Sequence, residues 1–233
     1  MRWWIGGLVV LALPYGVLQL LERGVVWFNA PSRATYPIRG LDVSHHQGRI
    51  DWSRVAGVDF VYVKATEGGD HRDTRFAENF DGARRAGLPR GAYHFFTFCR
   101  SGRVQADNFA AVVPTDAELP MAVDLEFGGN CTRRPSWVEL RNELTTFVDT
   151  IEARYGEPPV LYVTEELLAL YPVDTLGLPI WIRSVYTEPK RTWSLWQYHC
   201  RARVDGIEGP VDLNVATETW WTAQLRPRAR TAS

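Results

Sequence analysis

Beyond residue 38 the chain alternates short apolar runs with longer amphipathic stretches. The runs at 40–44, 60–65, 91–96, 121–127, 160–163, 180–185, 194–198 and 211–214 are rich in β-branched and aromatic residues and bounded by turn formers. They read as eight strands. Between the earlier ones the apolar spacing becomes helical. Phe76, Phe80 and Ala83 fall at i, i+4 and i+7, and the pattern closes at Gly87. Residues 104–113 read as a second helix, stopped by Pro114. The longest helix covers 137–155, where Trp137, Leu140, Leu144, Phe147, Val148, Ile151 and Tyr155 form one stripe. Ser136 and Glu139 have the spacing of a capping box, and Gly156 supplies the stop.

Strands alternating with helices predict a mainly parallel sheet, and eight strands suggest that it closes into a barrel. The expected fold is α/β, a distorted TIM-like β/α barrel. After residue 180 the gaps are too short for full helices, so the last third is expected to be an irregular closure with its strand directions open.

Residues 3–21 are an almost uncharged apolar run, long enough to cross a bilayer as a helix. A signal peptide is the competing reading, but residues 26–30 offer a poor cleavage site, which favours an uncleaved anchor. The expected division is an anchor or signal segment over 1–28, a tether with two prolines over 29–38, a barrel domain over 39–224 and a basic flexible tail over 225–233. Either reading of the first segment exports the barrel, so the expected location is the cell envelope, membrane-anchored in preference to secreted.

Composition narrows the function. Of 233 residues, 45% are apolar and 23% charged, as in an ordinary folded protein. The 26 Lys and Arg nearly balance the 27 Asp and Glu, so no global field recruits nucleic acid. Ten Trp and nine Tyr suit stacking on sugar rings as well as core packing. Three cysteines fit an oxidising compartment. Cys99 and Cys131 each follow a predicted strand, so a disulfide between neighbouring loops is expected, with Cys200 unpaired. No C-x-x-C spacing suggests a metal.

The candidate chemistry starts at Asp124-Leu125-Glu126. Residues two apart on a strand share a face, with Cα atoms roughly 6.6 Å apart. Neighbouring carboxyls disfavour each other's ionised forms, so one can keep a proton while its partner stays charged, the division of labour that glycoside hydrolysis uses. Asp42 and Asp212 are expected with them at carboxyl ends of barrel strands, where such barrels place their chemistry. Tyr93, Tyr162, Trp181 and Gln197 lie on other strands. Lys64 and Glu67 near a strand end either touch substrate or pair with each other. His45 and His46 read as hydrogen-bonding loop residues, and no metal or cofactor is expected.

Taken in order, GLDVSHHQ (40–47), IDW (50–52), FVYVKATEG (60–68), GAYHFF (91–96), VDLE (123–126) and WQY (196–198) with VDLN (211–214) resemble the glycoside hydrolase family 25 muramidases, the CH-type lysozymes. The resemblance covers about residues 39–221. It implies a barrel with five helices that cleaves the β-1,4 bond between N-acetylmuramic acid and N-acetylglucosamine in peptidoglycan. It implies Glu126 as general acid, Asp124 assisting the 2-acetamido group, Asp42 and Asp212 as supporting acids, and net retention. Tyr93, Tyr162, Trp181, Gln197, Lys64 and Glu67 are the expected substrate contacts, with core packing an open alternative for Trp181. The expected partner is the glycan strand, met by a monomer. Alternatives are an inactive glycan-binding envelope protein and an endo-N-acetylglucosaminidase.

Overall fold

A computed structural model describes Trp27 and residues 29–129 and 131–224. The expected anchor and the basic tail lie almost wholly outside the described residues, and among these no helix is long and apolar enough to cross a membrane.

Eight strands close a barrel: β1 (Arg39–Val43), β2 (Phe60–Glu67), β4 (Arg90–Phe95), β5 (Ala122–Leu125), β6 (Val160–Thr164), β7 (Ile180–Arg183), β8 (Leu195–Ala202) and β9 (Val211–Ala216). The two-residue β3 (His71–Arg72) folds back antiparallel on the end of β2. Neighbours from β1 through β2 and β4 to β8 are parallel. β9 runs antiparallel to both β8 and β1 and so completes the ring in reverse. This fixes the strand directions left open by the sequence. It also corrects the placing of Asp212, which is the second residue of its strand. Because β9 is reversed, its amino end lies at the mouth where the other strands end.

Among the described residues five α-helices surround the barrel: α1 (Phe76–Arg85), α2 (Gly102–Ala110), α3 (Trp137–Tyr155), α4 (Glu165–Leu170) and α5 (Glu218–Gln224). α3 has the expected bounds, with the Ser136–Glu139 capping box and Gly156 left-handed at φ 83°. α2 starts earlier than expected because Ser101 caps it through Val104 N, and it ends before Val112-Val113 rather than at Pro114. At Gly102 a Cβ would lie 1.8 Å from Glu143 O, so glycine permits the close approach of α2 to α3. α4 and α5 are absent from the periodicity reading, since six and seven residues span under two turns.

The period of two explains the two layers of core. In β2, Phe60, Tyr62 and Lys64 point into the barrel while Val61, Val63 and Ala65 face the helices. The barrel floor is filled by Phe60, Tyr62, Leu119, Val160 and Leu195 below Tyr162 and Trp181. Gly40 and Gly91 make room for these rings, because a Cβ would lie 2.2 Å from Phe60 at the first and 2.3 Å from Tyr62 at the second. The interior is thus filled at one end, and a cavity opens at the mouth.

Trp27, from the expected anchor or signal segment, and the segment expected as a tether both touch the barrel. Trp27 stacks on His199 with ring centroids 4.2 Å apart and donates Nε1 to Tyr198 O at 2.9 Å. Arg39 donates to Pro31 O at 2.6 Å, Tyr36 donates to Glu188, and Tyr36 packs edge-on to Trp196. These contacts fasten a segment whose described residues all stay partly or fully exposed.

Candidate active site

The strand alternation that fills the floor also builds the mouth. Two residues beyond each floor position the inward side chain becomes polar. Ala122 gives way to Asp124, Gly40 to Asp42, Trp181 to Arg183 and Leu195 to Gln197; on reversed β9 Ala216 is preceded by Asn214 and Asp212. Glu126 continues this series one residue past the end of β5 rather than on it. The result is a cavity of about 300 Å³. Asp42, Asp124, Glu126 and Asp212 all line it, with Tyr93, Tyr162, Trp181, Gln197 and Lys64.

Glu67 is the one expected contact outside this lining. It takes a hydrogen bond from Lys64 Nζ at 2.7 Å and faces a neighbouring groove. The local ion pair is therefore the arrangement found in the free protein, with Lys64 Nζ also 5.0 Å from the Phe95 ring centroid.

Asp42 is the most thoroughly held acid. Its Oδ2 accepts from Asn214 Nδ2 at 2.8 Å and from Gln197 Nε2 at 3.1 Å. Those donors are oriented in turn: Tyr162 OH donates to Gln197 Oε1 at 3.0 Å, and Trp181 Nε1 donates to Asn214 Oδ1 at 2.8 Å. Trp181 is both packed and part of this network. Asp42 and Asp212 are opposite partners across β1 and β9, and their carboxyls hydrogen-bond each other. Two neighbouring carboxyls disfavour being ionised together.

Burial raises the pKa of all four acids and is the largest cause in each. For Asp42 the Asn214 and Gln197 donors oppose it. Asp124 stands well above an ordinary aspartate, through burial and then the charge of Glu126. Its Oδ1 is buried without a partner, which further disfavours the charged form. Glu126 is raised by burial, and Arg183 pulls it back. The expectation that neighbouring acids would be the main influence on Glu126 is thus corrected: desolvation dominates.

Arg183 is the functional-looking residue that the sequence reading missed. Its Nη1 lies 3.6 Å from Glu126 Oε2, and Cys200 lines the same cavity. Placing Trp181 in the groove on a strand over 180–185 already put Arg183 on the same face, two residues on. Asn214 follows from Asp212 by the same rule. With Lys64, Arg183 gives the cavity two cations against four acids. Burial raises the Cys200 thiol, which keeps it protonated rather than a thiolate nucleophile. Tyr93 and Tyr162 are pushed well above an ordinary phenol by burial and stay neutral donors.

The histidine pair sits at the rim. His45 Nδ1 and Asp73 Oδ2 are 2.8 Å apart, and His46 lines the cavity edge. Among the described residues no group of three His, Cys, Asp or Glu side chains is placed to hold a metal ion. Cys99 and Cys131 are joined by a disulfide that ties the loop after β4 to the loop after β5. A larger groove, about 1040 Å³, lies on the barrel flank among Trp52, Arg85 and Gly206. The four acids line the smaller cavity, and it is the one with the chemistry.

The model of "Glycosyl hydrolases family 25" matches residues 41–207. The uncharacterized protein YegX of Escherichia coli K12 is 35% identical over 213 residues, covering 84% of this chain and 76% of that one. Lysozyme M1 of Streptomyces globisporus is 36% identical over 199 residues, covering 77% of this chain and 68% of that one. A solved family 25 glycosyl hydrolase from Bacillus anthracis superimposes with a TM-score of 0.78 at 35% identity, over 85% of this chain and 97% of its own. A bacterial lysozyme from Streptomyces coelicolor does so with a TM-score of 0.68 at 34% identity, over 77% and 92%.

Proposed function

The chain belongs to glycosyl hydrolase family 25, and from that premise we propose that it is a peptidoglycan muramidase, a lysozyme. It hydrolyses the β-1,4 bond from N-acetylmuramic acid to N-acetylglucosamine. The observation that carries this reading is the convergence of Asp42, Asp124, Glu126 and Asp212 on one cavity at the barrel mouth.

Glu126 is the general acid. It is raised above an ordinary glutamate by burial, and its side chain is 25% exposed, so it can hold a proton and still reach a substrate oxygen. Asp124 is left short of donors by the protein, and the N–H of the 2-acetamido group supplies one. That bond favours the charge on Asp124 and the proton on Glu126. Glu126 gives its proton to the bridging oxygen as the C1–O bond breaks, and the acetamido carbonyl oxygen closes on C1. Water then opens the ring, giving its proton back to Glu126 and its hydroxyl to C1. Two inversions at C1 leave retention. Asp42 and Asp212 hold the lower side of the site, and Tyr93, Tyr162, Trp181, Gln197 and Lys64 line the sugar path. The protein acts as a monomer in the cell envelope, with an apolar anchor or signal segment ahead of Trp27, 39–224 as the catalytic domain and 225–233 as a basic tail.

Mass spectrometry of the reducing ends in a peptidoglycan digest tests bond choice. N-acetylmuramic acid ends support the reading, and N-acetylglucosamine ends move the protein to the glucosaminidases. Binding to cell walls with no new ends from either the native protein or Glu126→Gln would make it a glycan-binding module. Proton NMR of the first-formed anomer tests stereochemistry: β supports retention and α overturns it.

A further inference from the structure

Beside the catalytic cavity lies a groove of about 330 Å³, and the two share a wall. Lys64 lines the cavity and Glu67 the groove, with their 2.7 Å ion pair as the partition. One side of the groove is the turn from β2 to β3. Asn108 of α2, itself buried, donates Nδ2 to Gly68 O and to His71 O, both at 3.1 Å, and so pins that turn. Gly68 N donates to Phe95 O at 3.1 Å, fastening it to the catalytic wall as well. The other side is the Cys99–Cys131 disulfide. The backbone of both sides is held in place, while the Asp70 and Arg100 side chains are exposed.

Two opposite charges line this groove without meeting. Asp70 and Arg100 both belong to its lining, yet among the described residues neither has an oppositely charged side chain within 4.0 Å. The Arg100 side chain lies across Gly69, where a Cβ would sit 3.5 Å from its Cδ. An anion alone would serve Arg100 and crowd Asp70, and a cation alone would do the reverse. A ligand with an ammonium and a carboxylate on one carbon serves both.

We propose that this groove is a subsite for a zwitterionic amino-acid head borne on the peptide stem of the glycan, with its carboxylate toward Arg100 and its ammonium toward Asp70. The inference rests on the muramidase reading and deepens it: the sugar occupies the cavity, and its stem crosses the partition formed by Lys64 and Glu67. The groove then selects for chains whose stems are present and carry both charges.

The test uses soluble glycan chains of three kinds: with stems ending in such a head, with the head's carboxylate amidated, and without stems. Native protein, Arg100→Gln and Asp70→Asn are compared. Each variant is expected to lose about fivefold in kcat/KM on the zwitterionic stems, through KM, and to match the native protein on stem-free chains. Amidation is expected to weaken the native protein by a similar factor and to leave Arg100→Gln unchanged. An equal loss on all three chains, or no loss on any, overturns the subsite while the hydrolase reading stands. Binding of the same chains to Glu126→Gln is measured in parallel. Tighter binding of zwitterionic than of amidated stems, with no cleavage by native protein, would keep the subsite and sink the hydrolase reading.

Discussion

Arg183 Nη1 lies 3.6 Å from Glu126 Oε2, so the residue proposed to donate the proton sits beside a permanent cation. The cation favours the charged carboxylate and opposes the burial that raises Glu126. A general acid is active while protonated, and its pKa sets the alkaline limb of the rate profile. Arg183→Gln is therefore expected to move that limb to higher pH, as measured by kcat/KM across a pH series. A limb that stays in place or moves down would show that Arg183 does not set the acidity of Glu126.

Removing the catalytic proton is expected to separate activity from stability. Glu126→Gln should lower kcat by about 10²–10⁴-fold, the range for general acid catalysis, with the fold intact by circular dichroism.

Asp124→Asn should abolish most activity and raise the melting temperature at pH 7 by roughly 2–5 °C. The sign follows from its raised pKa. Near and below the ordinary aspartate value both folded and unfolded chains hold the proton, and the residue costs nothing. As pH rises, the unfolded chain releases it while the folded chain keeps it, so native stability falls toward the folded pKa. Asparagine removes that loss, and the gain in melting temperature should vanish near pH 3–4.

Asn214 joins two parts of the site, giving a hydrogen bond to Asp42 and receiving one from Trp181, both at 2.8 Å. Asn214→Ala leaves a buried indole N–H unpaired and takes a donor from a buried acid. A loss of about 2–4 kcal/mol in chemical denaturation is expected. A loss below about 0.5 kcal/mol would mean that the pair is not energetically coupled to the fold.

The disulfide closes a loop with a sequence separation of 32. Loop-closure entropy puts its contribution at about 3–4 kcal/mol at most, and Cys99→Ser with Cys131→Ser should lower the denaturation midpoint accordingly. Because Cys131 belongs to the loop that follows Glu126, the double variant should also lose kcat before it unfolds. Unchanged kcat at full folding would limit the bridge to stability.

The local order of the chain settled much of this protein. Strand-like runs, the capped stripe of α3 and the positions of Asp42, Asp124 and Glu126 depend on backbone geometry and side-chain alternation over a few residues, and these are written in neighbouring positions. The same alternation carried Arg183 and Asn214 in plain view, each two residues from a side chain already assigned to the groove. What the sequence could not decide was set by pairings between distant segments. β9 is reversed because it bonds to both β8 and β1, which brings Asp212 against Asp42 from an otherwise distant part of the chain. Whether Lys64 pairs with Glu67, how far burial outweighs neighbouring charge at Glu126, and where Trp27 finds His199 likewise depend on what packs around each group. Desolvation and contact are properties of the assembled mouth, and no local window of sequence contains them.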